Sequence, residues 1–173
     1  MKPTLLARLG GLAMVSVTAF AGVASPTGAR SHSFSAALNG DVRATISGSA
    51  TFGRVAGGAG KPTVFTLSLG ADSSEGAVLF TRASGIRPSV GSYQVSDLNA
   101  GSDDLQALVM LGRADHPTGV FRAQSGTLTV MSVSDNGVSG IFALHATGFL
   151  AEQPNRENQQ VFVQGSFSAK GSN

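Results

Sequence analysis

The chain is 173 residues long, has no cysteine, and carries 12 basic against 10 acidic residues, a formal net charge of +2. Without cysteine it can form neither disulfide bonds nor thiolate metal sites. Its arginines occur singly along the sequence, which argues against binding to nucleic acid or to an anionic membrane surface, because both require clustered cations.

Residues 1–24 have the pattern of an export signal. Lys2 and Arg8 precede an uncharged run of 16 residues, Leu9–Ala24, which is shorter than the roughly 20 residues that a membrane-spanning helix needs. Small residues at its end predict signal-peptide cleavage after Ala21 or Ala24. We therefore expect a protein exported to the periplasm or the extracellular space, without a transmembrane segment in the mature chain.

The excess of positive charge belongs to this predicted signal. Lys2 and Arg8 account for it, so residues 25–173 carry equal numbers of basic and acidic residues. Their length suits one domain with a useful hydrophobic core. We expect residues 25–173 to form a single, electrically neutral domain.

Alternation of apolar and polar residues dominates the rest of the chain. Phe34, Ala36 and Leu38 are separated by small or polar residues, and the run 65–69 alternates in the same way. A period of two directs one face of a strand into a core and the other toward water. The pattern predicts nine strands, at 32–38, 42–53, 62–70, 76–82, 90–96, 104–112, 118–133, 138–150 and 159–169.

Turn-forming residues separate these strands. Asn39-Gly40 and the run 134–137 are typical of hairpins, and short connections favour antiparallel pairing. Gly140 and Gly148 predict a bulge or bend in the strand 138–150. Nine phenylalanines follow the signal, and seven of the nine predicted strands contain at least one, so we expect a shared aromatic core. The predicted fold is all-β: an antiparallel β-sandwich or flattened β-barrel of about 8–10 strands.

The sequence predicts no metal site and no cofactor. The glycine-rich run 57–61 resembles a phosphate-binding loop, but Pro62 stands where such a loop has a hydroxyl residue. One loop contains four oxygen-bearing side chains that could bind calcium: Asp97, Asn99, Asp103 and Asp104. Their spacing does not match an EF-hand, and a solvated turn is the alternative interpretation.

The sequence also predicts no catalytic residue. His32, His116 and His145 are far apart in the chain, and the G-x-S-x-G motif of many hydrolases is absent. His145 lies within a predicted strand, where we expect it to face solvent. A serine, a histidine and an acid could still meet in the folded chain, so a hydrolase stays open as one alternative.

Arg82, Arg87 and Tyr93 are the only candidate ligand contacts. Two arginines and a tyrosine within one short segment could receive an anionic ligand. Alternatively, an arginine paired with an acid or a carbonyl group at a strand end would order this turn.

Four runs resemble segments of small exported bacterial all-β proteins of unknown function. They are GSATFG (48–53), FTLSLG (65–70), RPSVGSY (87–93) and VSGIF (138–142). The resemblance implies a secreted or periplasmic β-domain, and it transfers neither an activity nor a functional residue.

We therefore expect a non-enzymatic binding or structural module of the cell envelope or extracellular space, whose partner is an unknown protein or small molecule. One alternative is a barrel that carries a small apolar ligand inside. Sugar binding is disfavoured, because the chain has no tryptophan and one tyrosine on which a sugar ring could stack.

Overall fold

The computed structural model describes residues 32–56, 62–73, 75–97, 104–113, 115–153 and 158–172. The predicted signal 1–24 and the glycine-rich run 57–61 lie outside this part of the chain. Within it, the fold is all-β and contains no helix that could span a membrane. The strands are β1 (Ser33–Gly40), β2 (Ala44–Val55), β3 (Val64–Leu69), β4 (Gly76–Arg82), β5 (Gly91–Ser96), β6 (Leu105–Arg113), β7 (His116–Ser134), β8 (Gly137–Leu150) and β9 (Gln159–Gly171).

The prediction of nine strands is confirmed, and each strand begins and ends within two residues of its predicted bounds. One sheet contains all nine and closes on itself, in the order β1-β2-β3-β4-β6-β5-β7-β8-β9. Neighbours are antiparallel apart from short parallel contacts of β2 with β9 and of β5 with β6. The ring is not a regular barrel, and it agrees with the predicted fold class, an antiparallel sandwich or a flattened barrel.

The sheet has an interruption beside β7. This strand is 19 residues long, and two other strands pair with the same side of it. β6 pairs with residues 116–122 and β5 with residues 125–130. A bulge between Ala123 and Ser125 lies at this junction, and one parallel pair, Val95 with Leu105, links β5 to β6.

Aromatic side chains fill the interior. Phe80 on β4 meets Phe142 on β8 edge to face, with 5.4 Å between ring centroids, although these strands are not neighbours in the ring. The expected aromatic core is confirmed for seven phenylalanines, those at 34, 52, 65, 80, 121, 142 and 167. It is wrong for Phe149 and Phe162, whose side chains point outward because the alternating residues beside them face the core.

Gly140 and Gly148 mark close contacts between strands. A Cβ atom on Gly140 would clash with the carbonyl oxygen of Thr129, and one on Gly148 with that of Val120. Both carbonyls belong to β7, whose two bulges lie near these points. The irregularity predicted for β8 is therefore located in its partner β7, and the glycines of β8 leave room for it.

Candidate functional site

Arg82 and Tyr93 meet at one end of the ring. The guanidinium carbon of Arg82 lies 5.6 Å from the centroid of the Tyr93 ring, a cation–π distance. The Tyr93 hydroxyl donates a hydrogen bond to the carbonyl oxygen of Ser89 at 2.9 Å. Of the three predicted contact residues, the structure therefore brings these two together.

Arg87 lies apart from that pair. Its guanidinium carbon is 5.6 Å from the centroid of the Phe52 ring on β2. Its Nη1 donates hydrogen bonds to the carbonyl oxygens of Ser134, at 3.1 Å, and Asp135, at 3.4 Å. These contacts hold the segment 83–90 across the end of the ring, and they are of the kind expected if the arginine orders the turn.

A different surface has the composition of a binding site. Directly opposed residues on paired strands share one face of a sheet, so the register defines rows of outward side chains. We call the following four rows the neutral trough. The first row is Ser132, Ser139 and Ser168, and the second is Ser92, Thr129, Ile141, Ser166, Ser35 and Ser47. The third is Gln94, Thr127, Ala143, Gln164, Ala37 and Thr45, and the fourth is Ser96, Ser125, His145, Phe162 and Asn39.

The neutral trough contains no Asp, Glu, Lys or Arg. Its polar groups are hydroxyls, amides and the imidazole of His145, which can donate and accept hydrogen bonds. Charged residues border it: Asp41 in the β1–β2 turn, Lys170 near the end of β9, and two carboxylates that accept hydrogen bonds from its outermost residues, Glu75 from Ser47 and Asp104 from Ser96. An uncharged face this wide is unusual for a strand surface exposed to water, because isolated charged residues are the common occupants of such positions.

Three shallow concavities follow one another along the trough. Their volumes are about 470 Å³ around Ser139, where the marginal Lys170 also lines the wall, 650 Å³ around Ile141 and 340 Å³ around His145. Together they accompany β8 from residue 137 to residue 147, which is about 33 Å at roughly 3.3 Å per residue. The trough therefore suits an extended occupant better than a compact one.

An aromatic pair lies at one end of the trough. His145 on β8 and Phe162 on β9 are directly opposed, and their ring centroids are 4.9 Å apart with planes inclined by 54°. His145 faces outward, as predicted, and Ile141 is 49% exposed in the next part of the trough. The trough thus combines apolar contact surface with neutral hydrogen-bonding groups.

The other candidate residues do not converge on one site. His116 lies 3.9 Å from Asp115, with both side chains exposed. Asp97 pairs with Arg122, and Asp104 accepts a hydrogen bond from Ser96 at 3.2 Å. Asn99 and Asp103 of the calcium hypothesis lie outside the described residues, which contain no group of three His, Cys, Asp or Glu side chains arranged to hold a metal.

Comparisons with protein-family models, with curated proteins and with solved structures find no match. The function is therefore argued from the trough itself, which the sequence reasoning missed. One signal was present: the stretches 123–134, 136–151 and 158–169 contain no Asp, Glu, Lys or Arg. Strand alternation then assigns half of each stretch to an uncharged outer face.

Proposed function

We propose that this chain is an exported, non-enzymatic binding module that holds a neutral polysaccharide along the neutral trough. The observation that carries this proposal is the absence of ionisable carboxylate, ammonium and guanidinium groups from four consecutive rows of outward side chains. Export is proposed from the signal pattern of residues 1–24. The occupant is proposed from the chemistry of the trough.

The partner is uncharged because the four rows of the trough carry no Asp, Glu, Lys or Arg side chain to oppose a charge. Covering a surface with an ionic partner costs desolvation energy, which only opposite charges or strong hydrogen bonds offset. A polysaccharide without carboxylates, sulfates or amines avoids this cost. Its hydroxyl groups can exchange hydrogen bonds with serine and threonine hydroxyls and with the amides of Gln164 and Asn39.

The partner binds through side chains rather than by adding a strand. Peptides often dock by pairing with the free edge of a sheet. Here β1, β7, β8 and β9 each pair with neighbours on both sides, so their backbone groups are already engaged. A chain lying on the face must use side-chain hydrogen bonds, which favours a partner rich in hydroxyl groups over a peptide strand.

The aromatic pair supplies an anchor that sequence composition did not suggest. Aromatic faces carry partial negative charge, and the polarised C–H groups of a sugar ring pack against them. Tryptophan and tyrosine are the usual platforms, and their scarcity disfavoured sugar binding at the level of sequence. The outward positions of Phe162 and His145 provide an alternative platform within the trough.

The packed interior supports a surface binder over an internal carrier. A carrier needs room for a ligand between the two sides of the ring. The contact between Phe80 and Phe142 spans that space, and both rings are buried.

A binding assay on the mature chain tests the proposal. Starch, cellulose and mannan serve as neutral polymers, alginate as an anionic one and chitosan as a cationic one. We expect retention on at least one neutral polymer, and a roughly tenfold loss of affinity in Ser166→Asp, which places a charge within the second row. Thr51→Asp, at an exposed β2 position outside the trough, is the matched control. Retention by alginate or chitosan alone would contradict the proposal.

A further inference from the structure

A separate cavity lies where β5 and β6 meet beside β7. Its volume is about 240 Å³, and it is lined on the outer side of the sheet by the apolar side chains of Leu79 and Leu108, with Thr81, Gln106 and Arg122 among its polar groups. The bulge of β7 between Ala123 and Ser125 lies beside it.

Arg122 brings a buried hydrogen-bond donor to this cavity. Its Nη2 group forms an ion pair with the carboxylate of Asp97, and the two side chains are 38% and 39% exposed. Its Nε atom is buried and has no hydrogen-bond partner among the residues that the structure describes. An unpaired buried N–H group costs free energy, so a ligand that supplies an acceptor oxygen would bind favourably here.

We infer that this cavity binds a small, uncharged, mainly apolar molecule that carries one carbonyl oxygen, such as a ketone, an ester or a lactone. Because the walls are mainly apolar, the body of the ligand is apolar. Because Arg122 offers one Nε–H donor, the ligand carries one acceptor oxygen. The volume lies just below the usual range for ligand sites, about 300–1,000 Å³, which limits the ligand to a few carbon atoms.

Two other ligand classes fit the cavity less well. A carboxylate would approach the carboxylate of Asp97, which already balances the charge of Arg122, and the two anions would repel each other. A pure hydrocarbon would match the walls but would leave the Nε–H of Arg122 unpaired. The preferred ligand is therefore distinguished from both by its charge and by its oxygen atom.

Side-chain NMR of the mature chain tests this inference. Three probes of similar size are titrated against the ¹⁵N-labelled protein: cyclohexanone, cyclohexane and cyclohexanecarboxylate. We expect cyclohexanone to shift the Nε–H resonance of Arg122 saturably and to leave that of the exposed Arg54 unchanged. The affinity for cyclohexanone should exceed that for each of the other probes at least fivefold.

Two variants distinguish the contribution of the Nε–H donor of Arg122 from that of its positive charge. Arg122→Lys keeps a positive charge opposite Asp97 but removes the Nε–H group, so its affinity for cyclohexanone should fall to that for cyclohexane. Arg54→Lys is the control and should bind as the parent chain does. The inference is overturned if the Arg122 resonance does not respond to cyclohexanone, if the carboxylate binds more tightly, or if Arg122→Lys retains the full affinity. The titration of the parent chain decides the matter even if that variant fails to fold.

Discussion

His145 and Phe162 face each other across β8 and β9 on the outer side of the ring, with 4.9 Å between their ring centroids. Because both rings are outward, they add contact surface to the trough without taking part in the core. This pair is the feature of the trough most readily changed without disturbing the fold.

Replacing the aromatic anchor should weaken binding to a neutral polysaccharide. We expect Phe162→Ala to lower the affinity about tenfold, which corresponds to roughly 1.4 kcal/mol, because the sugar ring loses its stacking partner. Phe149→Ala is the control, because it removes another outward phenylalanine, 48% exposed, that lies beyond the trough. Isothermal titration with a soluble neutral polymer measures both. Equal losses of affinity in the two variants would contradict the role of Phe162 as the stacking partner of a sugar ring.

The core contact between Phe80 and Phe142 should dominate stability. Phe80 is fully buried, so Phe80→Ala should lower the free energy of unfolding by about 3–5 kcal/mol. Phe149→Ala should cost less than about 1 kcal/mol, because its side chain is half exposed. Urea denaturation followed by circular dichroism measures both values. A loss below about 1 kcal/mol for Phe80→Ala would mean that the interior is not packed as described.

Arg87 holds the segment 83–90 across the end of the ring. Arg87→Ala removes hydrogen bonds from a charged group to two backbone carbonyls, so we expect a loss of about 1.5–3 kcal/mol. Arg54→Ala, at an exposed position on β2, should change stability by less than about 0.5 kcal/mol. Thermal unfolding gives both values.

The same variants test the alternative role of the ring end as an anion site. If Arg82, Arg87 and Tyr93 receive an anionic ligand, inorganic phosphate should raise the Tm of the parent chain more than that of Arg87→Ala. A structural role predicts equal shifts in the two proteins.

Gly148 should not tolerate a side chain. A Cβ atom there would collide with backbone atoms of Val120 and Phe121, so β7 and β8 would have to separate. We expect Gly148→Ala to cost about 1–3 kcal/mol. Gly171→Ala is the control, because the nearest atom to its added Cβ, on the Phe52 ring, is 3.5 Å away. Comparable stabilities for the two variants would contradict the close approach of the strands.

Asp72 should respond to the loss of its serine partner. The hydroxyl of Ser49 donates a hydrogen bond to the Asp72 carboxylate, and this bond is the main reason that the pKa of Asp72 lies below its ordinary value. A lowered pKa means that the contribution to stability is present above the ordinary aspartate pKa and is lost as the pH falls through the folded-state value. Ser49→Ala should raise the pKa of Asp72, as measured by NMR titration, whereas Ser47→Ala should leave it unchanged.

The alternation of apolar and polar residues along the sequence predicts most of the fold. In the run 64–69 every second residue is large and apolar, and the structure buries Phe65, Leu67 and Leu69. The same reasoning indicates that Phe162 faces outward, because Val161 and Val163 occupy the inward positions. Such local parity requires no knowledge of which strands pair.

The pairing between strands that are distant in the sequence could not be predicted from this alternation. β1 pairs with β9, so that Leu38 lies opposite Val163, and nothing near either residue specifies this partner. The meeting of His145 with Phe162 depends on the register of β8 against β9, which the whole ring determines. Residue type alone indicated Arg82, Arg87 and Tyr93 as candidate ligand contacts, and the uncharged stretches indicate an uncharged outer face. The arrangement of that face in rows across neighbouring strands depends on the register.

Chemical-shift mapping with neutral oligosaccharides tests the central claim most directly. Laminarihexaose, cellohexaose, maltohexaose and mannohexaose are titrated against the ¹⁵N-labelled mature chain, with an oligogalacturonate as the anionic comparison. The account predicts that at least one neutral hexasaccharide shifts amide resonances along β8 and its neighbours, including those of Ile141, Gln164 and Phe162, and that the anionic probe does not. Shifts located elsewhere on the ring, or a response to the oligogalacturonate alone, would contradict it.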